Sequence, residues 1–194
     1  MIKDEGGLLG PSPRIVMWLH GCHRSCKGCI ARGFNSSPAQ YSLSVGTLAQ
    51  MINDDGELEG ITVSGGEPFL QAEALYELIN SINVGVIVYT GYTREELEQM
   101  GSEAVNGILG KIDVLVDGEY VEELNDDAPH RGSSNQRIHQ LSDRYRDYYS
   151  APAERKTRIE SDGGYMYMYG IPDRDQRDRW LAIKESALGD KNGR

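Results

Sequence analysis

Three cysteines, Cys22, Cys26 and Cys29, lie within eight residues and could together hold an inorganic centre. The chain has no other cysteine, so a fourth thiolate cannot complete the site. Thiolates are ligands for zinc and for iron–sulfur clusters, and either centre usually takes four ligands. The C-x3-C-x2-C spacing therefore indicates a site that is completed by another residue type or left open.

Zinc and an iron–sulfur cluster are the two centres to weigh. A structural zinc site closes its coordination sphere with four ligands, and His20 or His23 could supply the fourth. The paired C-x2-C half-sites that usually build such a site are missing, which favours the cluster. In a cluster held by three thiolates, one iron stays free to bind another molecule. The triplet alone leaves both centres open.

A disulfide is the weakest interpretation, because the cysteine count is odd. The first residues, Met1–Gly7, are acidic and contain two glycines, unlike a secretory signal. Thiols in such a chain are expected to stay reduced in the cytoplasm. We therefore expect a cytoplasmic protein.

A second motif, Gly-Gly-Glu-Pro, follows the apolar segment Ile61–Ser64, which is typical of a short buried strand. Gly65 and Gly66 carry no side chains, so a ligand could approach the backbone closely at this turn. Glu67 would place a carboxylate beside exposed N–H groups, where it could receive an ammonium group. Taken alone, such a turn is more often a plain connection between a strand and a helix.

Charge and hydropathy argue against two kinds of partner. The formal net charge of −10 disfavours binding of nucleic acid through a broad basic face. No apolar run approaches the roughly 20 residues that span a bilayer. The 39% of hydrophobic residues is sufficient for one core. We expect no nucleic-acid partner and no membrane partner.

The elements that position these motifs alternate along the chain. Strands are predicted at Arg14–His20, Ile61–Ser64, Gly85–Thr90 and Ile112–Val116, and helices at 45–54 and 71–82 and from an N-cap at Thr93. This alternation predicts a parallel α/β sheet. Ligands collect at the carboxyl ends of parallel strands, so the segments that follow the four strands should meet on one face. Those segments are Cys22–Cys29, Gly65–Glu67, Thr90–Tyr92 and Asp117.

Together the two motifs resemble the radical S-adenosylmethionine superfamily, whose cluster motif is C-x3-C-x2-C and whose methionine-binding turn is Gly-Gly-Glu-Pro. More of the chain, from about Ile15 to Gln140, is similar to the activating enzymes of anaerobic ribonucleotide reductase. The further segments that carry this likeness are Val86–Tyr92, Ile112–Tyr120 and Arg131–Ile138. The chain departs from the pattern at Ile30-Ala31, where an aromatic residue and an asparagine are more usual.

The resemblance implies an incomplete (β/α)6 barrel of the radical S-adenosylmethionine type. It implies a [4Fe–4S] cluster with one open iron, and S-adenosyl-L-methionine as cofactor. Cys22, Cys26 and Cys29 would be the metal ligands. The implied cofactor-binding residues are Gly28 and Ile30 beside the adenine, Gly65, Gly66 and Glu67 around the methionyl ammonium group, and Asn135, Gln136 and Arg137 as further polar contacts.

The resemblance also implies a reaction and its partners. A flavodoxin or ferredoxin would supply one electron, reductive cleavage of the cofactor would give a 5′-deoxyadenosyl radical, and that radical would take hydrogen from a glycine of a reductase subunit. This is the reaction of a glycyl radical enzyme activase. One alternative is a free-standing radical enzyme that modifies a peptide or a small molecule. Another is a non-catalytic metal-binding interaction module.

Beyond the core, expected at residues 1–141, the pattern predicts a C-terminal extension at residues 142–194 that packs on it. The extension should contain a helical segment over Ser142–Ala153, a β-hairpin that turns at Asp162-Gly163, and a terminal helix over Asp173–Leu188. Tyr145, Tyr148 and Tyr149 have helical spacing and are expected to pack. The alternating Tyr and Met residues favour an edge hairpin over a docking platform for a partner.

Overall fold

The structure is a computed structural model that describes residues 1–34 and 42–189. Six strands form one sheet in chain order, with bounds β1 (Ile2–Asp4), β2 (Arg14–Leu19), β3 (Gly60–Gly65), β4 (Gly85–Tyr89), β5 (Val114–Asp117) and β6 (Arg137–Gln140). A separate hairpin contains β7 (Thr157–Asp162) and β8 (Tyr165–Gly170). The helices are α1 (Val45–Asp54), α2 (Ala72–Asn80), α3 (Arg94–Gln99), α4 (Glu103–Leu109), α5 (Arg146–Ser150) and α6 (Arg174–Gly189).

The four central strands, β2 to β5, run parallel, and β1 and β6 join the two edges antiparallel. Val16 pairs with Thr62, Thr62 with Ile87, and Ile87 with Val114, so one row of residues crosses all four strands. Parallel strands are usually covered on both faces and are rich in β-branched residues. This explains why the sequence shows them as short, nearly continuous apolar runs.

The main core lies between one face of the sheet and the helices α1, α2, α3 and α4. Ile52 of α1, Leu78 of α2 and Ile108 of α4 pack there against strand residues such as Ile61 and Val63. The opposite face of the sheet has a smaller core, in which Ile87, Val114 and Val116 pack against Tyr145. The prediction that the tyrosines after Ser142 serve packing is confirmed for Tyr145, which is buried.

Most of the predicted elements are confirmed, and local capping explains where several helices begin. Thr93 caps α3: its hydroxyl accepts a hydrogen bond from the backbone N–H of Glu96, whose carboxylate accepts one from the N–H of Thr93. This reciprocal pair satisfies two N–H groups that would otherwise have no partner at a helix start. Ser44 caps α1 in a similar way by accepting from the N–H of Thr47.

Several predicted boundaries are wrong. The strand predicted at Ile112–Val116 is β5, Val114–Asp117. The helix predicted over residues 71–82 is α2, which begins at Ala72 after the 3₁₀ turn Pro68–Gln71 and ends at Asn80. The helical segment after Ser142 is limited to α5. The hairpin turns at Gly163-Gly164 instead of Asp162-Gly163, because a two-residue hairpin turn of this kind needs positive φ at both positions and both glycines have it (56° and 82°).

The incomplete (β/α)6 barrel stays a prediction. In the described residues, α-helices connect the parallel strands β2 to β5, whereas β5 continues to β6 through loops and the short 3₁₀ turn Glu122–Leu124.

Of the predicted extension, residues 190–194 lie outside the described part of the chain. Within that part, we find no helix with the length and apolar character needed to cross a membrane.

Candidate functional site

A cavity of about 200 Å³ lies at the carboxyl ends of the parallel strands. Cys22, Cys26 and Cys29 all line it, and so do Gly65, Gly66 and Glu67. Among the other residues singled out in the sequence, Gly28, Ile30, Thr90 and Gln136 line it as well. The structure therefore brings the cysteine loop and the Gly-Gly-Glu-Pro turn to one cavity, as the order of the strands predicted.

The cysteine loop leaves β2 and has little regular structure. The N–H of Cys29 donates to the carbonyl of Cys26 over 3.3 Å, and the Arg32 guanidinium donates to the same carbonyl over 2.9 Å. Gly28 has a φ of +71°, a left-handed conformation that glycine adopts without steric cost. All three thiols are partly exposed.

Two thiols of the loop, Cys26 and Cys29, have raised pKa values. Burial, followed by the nearby Glu119 carboxylate, raises the pKa of Cys26 to about 11. Burial also raises the pKa of Cys29. A coordinating metal ion deprotonates a thiol outright, so metal binding here would release protons.

The Gly-Gly-Glu-Pro turn is fixed by hydrogen bonds to two neighbouring segments. The N–H of Gly66 donates to the carbonyl of Leu19 and the N–H of Glu67 to that of Gly21, both over 2.8 Å. A side chain at Gly66 would overlap the Gly21 carbonyl, so the turn requires glycine at this position. The turn therefore lies against the start of the cysteine loop by direct backbone contact.

The carboxylate of Glu67 is buried, with 1% of the residue exposed. One oxygen accepts from the N–H of Phe69 (3.0 Å) and the hydroxyl of Thr90 (2.8 Å), and the other accepts from the N–H of Gly91 (2.9 Å). The donors at Thr90 and Gly91 join the turn to the end of β4. The contact of Glu67 with a ligand ammonium group stays a prediction, and the role visible here is to hold the turn.

Gln136, Asn135 and Arg137 have different surroundings, although they are adjacent in sequence. Gln136 lines the cavity, and its side chain accepts from the N–H of Gly132 and donates to the carbonyl of Gly118, both over 2.8 Å. Asn135 donates to the carbonyl of Glu119 over 2.7 Å. Neither Asn135 nor Arg137 is among the residues that line the cavity.

Arg137 instead forms an ion-pair network at the end of β5. Its guanidinium lies 2.6 Å from the fully buried Asp117 and 2.5 Å from Glu95. The hydrogen bond from Arg137 lowers the pKa of Glu95 to about 2. Burial alone would raise the pKa of Asp117, but hydrogen bonds from Arg137, Arg94 N–H and His139 outweigh it and lower that pKa. The contact of Arg137 with a cofactor stays a prediction.

The histidines considered as zinc ligands do not complete a site with the cysteines. The imidazole of His23 lies against the ring of Tyr92, with 3.3 Å between its Nε2 and the tyrosine hydroxyl. In residues 1–34 and 42–189, no group of three or more His, Cys, Asp or Glu side chains is arranged to hold one metal ion. The three thiols instead surround a shared cavity. This layout fits a cluster, in which each thiolate binds a different iron.

Sequence reasoning missed several polar residues that line the cavity, among them Tyr120 and Arg177. Arg177 comes from α6, and Arg155, which also lines the cavity, comes from the segment before β7. The sequence gives no signal that separates Arg177 from the neighbouring arginines of the same helix. Its position depends on how the extension packs on the core.

Comparison with known proteins agrees with the chemistry of this site. The family model described as a 4Fe-4S single cluster domain matches residues 8–139. An anaerobic ribonucleoside-triphosphate reductase-activating protein from Haemophilus influenzae is 33% identical over 150 residues, which cover 68% of this chain and 90% of the relative. The chain belongs to this family. The activating proteins also include relatives from Vibrio cholerae, 31% identical over 69% of this chain and 91% of theirs, and phage T4, 26% identical over 66% and 85%.

Membership of the activating-protein family confirms the resemblance predicted from the motifs. The protein is an iron–sulfur enzyme of the activase type, and Cys22, Cys26 and Cys29 are its only cysteines. The family model ends at residue 139, shortly before the predicted boundary of the extension. The hairpin and α6 therefore lie outside the matched region.

Proposed function

We propose that Cys22, Cys26 and Cys29 bind a [4Fe–4S] cluster whose fourth iron takes S-adenosyl-L-methionine, and that the protein activates an anaerobic ribonucleotide reductase. The observation that carries this proposal is the shared cavity of the three thiols and the Gly65-Gly66 turn. When bound, the cluster supplies the electron that cleaves the cofactor to methionine and a 5′-deoxyadenosyl radical. Hydrogen would then be taken from a glycine of the reductase.

The residues present suit such a cluster and its cofactor. The donor set is three thiols with no fourth cysteine in the chain, which leaves one iron open. The absence of side chains at Gly65 and Gly66 lets a ligand reach the backbone of the turn. Glu67 keeps the turn in place, and the side chain of Gln136 adds polar atoms to the same cavity. The backbone around Gly28 and Ile30 would then face the adenine.

A partial barrel remains our proposal for the fold of the core. The four parallel strands place their loops at one end, and the antiparallel β6 ends the parallel series on one side. An open edge of this kind would admit a protein segment. A glycine-bearing loop of a reductase subunit is a substrate of that size.

The proposed partners are a reductase subunit and a one-electron donor of the flavodoxin or ferredoxin class. The reductase is suggested by the names of the relatives in Haemophilus influenzae and Vibrio cholerae. A free-standing radical enzyme remains the second candidate. It is favoured by Ile30, which departs from the usual aromatic residue, lines the cavity and is 44% exposed.

The experiment combines the reconstituted protein with the anaerobic reductase of the same organism, dithionite and S-adenosylmethionine without oxygen. We expect a glycyl radical on the reductase by electron paramagnetic resonance, and none with the Cys26→Ala variant. A reductase whose radical glycine is replaced by alanine serves as the substrate control. Formation of 5′-deoxyadenosine with no radical on the reductase would favour the free-standing enzyme instead.

A further inference from the structure

The C-terminal helix reaches the cavity that contains the cysteines. Arg177 of α6 is 8% exposed and lines this cavity, together with Gly170, Ile171 and Pro172 from the segment before the helix. All four residues lie beyond residue 139, where the match to the family model ends. The site therefore has a wall that the motifs of the core do not encode.

Arg177 contacts the cysteine loop both directly and through its ion-pair partner Glu122. Its guanidinium forms an ion pair with Glu122, and the pair packs on Gly28, between Cys26 and Cys29. A Cβ atom at Gly28 would lie 2.6 Å from the Arg177 guanidinium and 2.6 Å from the Glu122 carboxylate. Any residue other than glycine would displace this ion pair, so the pair and the loop fit closely together.

Glu122 pairs with two cationic groups, the guanidinium of Arg177 and the ammonium group of Lys27. Its other carboxylate oxygen lies 3.2 Å from the ammonium group of Lys27, which belongs to the cysteine loop itself. Lys27 is 76% exposed, so its pairing with Glu122 is a surface contact of little energy. Arg177 is the buried partner and holds Glu122 more firmly.

A second buried arginine fixes the segment that precedes α6. The side chain of Arg155 is 4% exposed and donates to the carbonyls of Pro172 (2.7 Å), Arg131 (2.8 Å) and Ala128 (2.9 Å). These bonds join the extension to the loop that precedes β6. The wall is thus attached to the core independently of the pair between Arg177 and Glu122.

Arg177 also brings a positive charge to the lining of the cavity that contains the cysteines. Its Nε atom is buried, and no acceptor in the described part of the chain lies within hydrogen-bond distance of it. The positive charge there would also favour the reduced, more negative state of a cluster.

We propose that Arg177 is a positioning residue of the cluster site: through Glu122 it holds the Cys26–Cys29 loop in place, and it closes the cavity on the side of α6. This inference rests on the proposed cluster at the three cysteines. Partners that orient metal ligands strongly influence metal retention, and their loss typically costs about 10- to 100-fold in affinity. Loss of Arg177 should therefore loosen the loop and speed the release of iron.

The test compares variants of the full chain after anaerobic loading with the cluster. Wild type, Arg177→Gln, Glu122→Gln and the double variant are challenged with a ferrous-iron chelator, and iron release is followed by absorbance. We expect release to be roughly 10- to 100-fold faster in each single variant. The double variant should change less than the product of the two single effects, because both remove the same contact. The midpoint potential of Arg177→Gln should move to a more negative value.

Arg179→Gln is the matched control, because Arg179 lies on the same helix, is 76% exposed and pairs with the nearby Asp175 on the surface. Its release rate should stay within about twofold of wild type. A loaded Arg177→Gln variant that releases iron at the wild-type rate overturns the inference alone. A wild type that takes up no cluster overturns the proposed function as well. If Arg177→Gln fails to fold, Glu122→Gln decides, and wild-type release from that variant overturns the inference.

Discussion

The two halves of the candidate site, the Gly65–Pro68 turn and the Cys22–Cys29 loop, differ in how the protein holds them. The turn is fixed by two backbone hydrogen bonds and by the buried carboxylate of Glu67 with its three donors. The loop is partly exposed at all three thiols, and contacts from Glu122 and Arg32 support it. The turn is therefore held in place without a ligand, whereas we expect the loop to gain order when the metal centre binds.

The difference follows from the positions of the two segments in the sheet. The turn leaves β3, which has a parallel strand on each side, so neighbouring backbone groups are available as partners. The loop extends away from β2 into the cavity. Metal binding is coupled to ordering where the ligands are not held in advance. We expect changes in the turn to affect the cluster-free protein, and changes at the thiols to affect only the loaded one.

The largest effect is expected for Cys26→Ala. Removal of one of three thiolates should abolish the cluster, and formation of 5′-deoxyadenosine should fall to background. The free energy of unfolding of the cluster-free protein should change by less than about 1 kcal/mol, because the thiol is partly exposed. Mass spectrometry and urea unfolding measure the two quantities. A large loss of stability in the cluster-free variant would contradict the contrast between loop and turn.

Glu67→Gln should show the opposite pattern. The new amide cannot accept from all three donors, so a buried N–H or hydroxyl loses its partner, at a cost of about 1–3 kcal/mol. Urea unfolding of the cluster-free protein measures this loss. Glu57→Gln, at an exposed position, is the control and should stay within about 0.5 kcal/mol of wild type. Equal stability of Glu67→Gln and wild type would show that the turn is not held by this carboxylate.

Two glycines provide a matched pair, one in each half of the site. Gly66→Ala places a methyl group against the fixed carbonyl of Gly21, and we expect a loss of about 2 kcal/mol or more. Gly28→Ala meets only the ends of two flexible side chains, and the main cost is its positive φ, about 1 kcal/mol. Thermal unfolding of both cluster-free variants shows which of them loses more stability. A larger loss for Gly28→Ala would reverse our view of which half is rigid.

A smaller effect depends on pH and concerns the ion-pair network of Arg137 at the end of β5. The pKa of Glu95 is lowered to about 2 by Arg137, from a usual value of 4.5. A carboxylate with a lowered folded-state pKa stabilises the fold above its unfolded pKa, and this stabilisation is lost as the pH falls through the folded value. The stability of wild type should therefore decline between pH 4.5 and pH 2.

Arg137→Gln removes the cation that lowers the pKa of Glu95 and of Asp117. The variant should be less stable at neutral pH, and its stability should depend less on pH in the acid range. Urea unfolding at several pH values measures both. Arg94→Gln is the control, since the Arg94 side chain pairs with Glu98 on the surface of α3. The same acid dependence in Arg137→Gln and wild type would mean that other carboxylates determine it.

The sequence predicted the two halves of the site because each motif directly follows a parallel strand. Strands β2 and β3 are neighbours in the sheet, so the contact between the loop and the turn can be predicted without knowing the rest of the fold. The predicted helix at Thr93 was also reliable, since a capping box depends only on residues within one turn. Local chemistry of this kind can be read from the sequence.

What could not be predicted depends on packing between distant segments. The residues Asn135–Arg137 were predicted to contact the cofactor together, but their side chains have different surroundings, and only Gln136 lines the cavity. Arg177 looks like any other arginine of a charged helix until α6 packs beside Gly28. The turn of the hairpin was placed one residue too early because the sequence offers an Asp-Gly pair and a Gly-Gly pair side by side.

The most direct test of the central claim is electron paramagnetic resonance of the reduced cluster with isotope-labelled S-adenosylmethionine. If one iron is open and faces the Gly65-Gly66 turn, labels on the amino nitrogen and on the carboxylate oxygen of the methionyl group should both show hyperfine coupling to the cluster. The Cys26→Ala variant should give no such signal. A fully loaded, reduced cluster whose spectrum is unchanged by the cofactor would contradict the account.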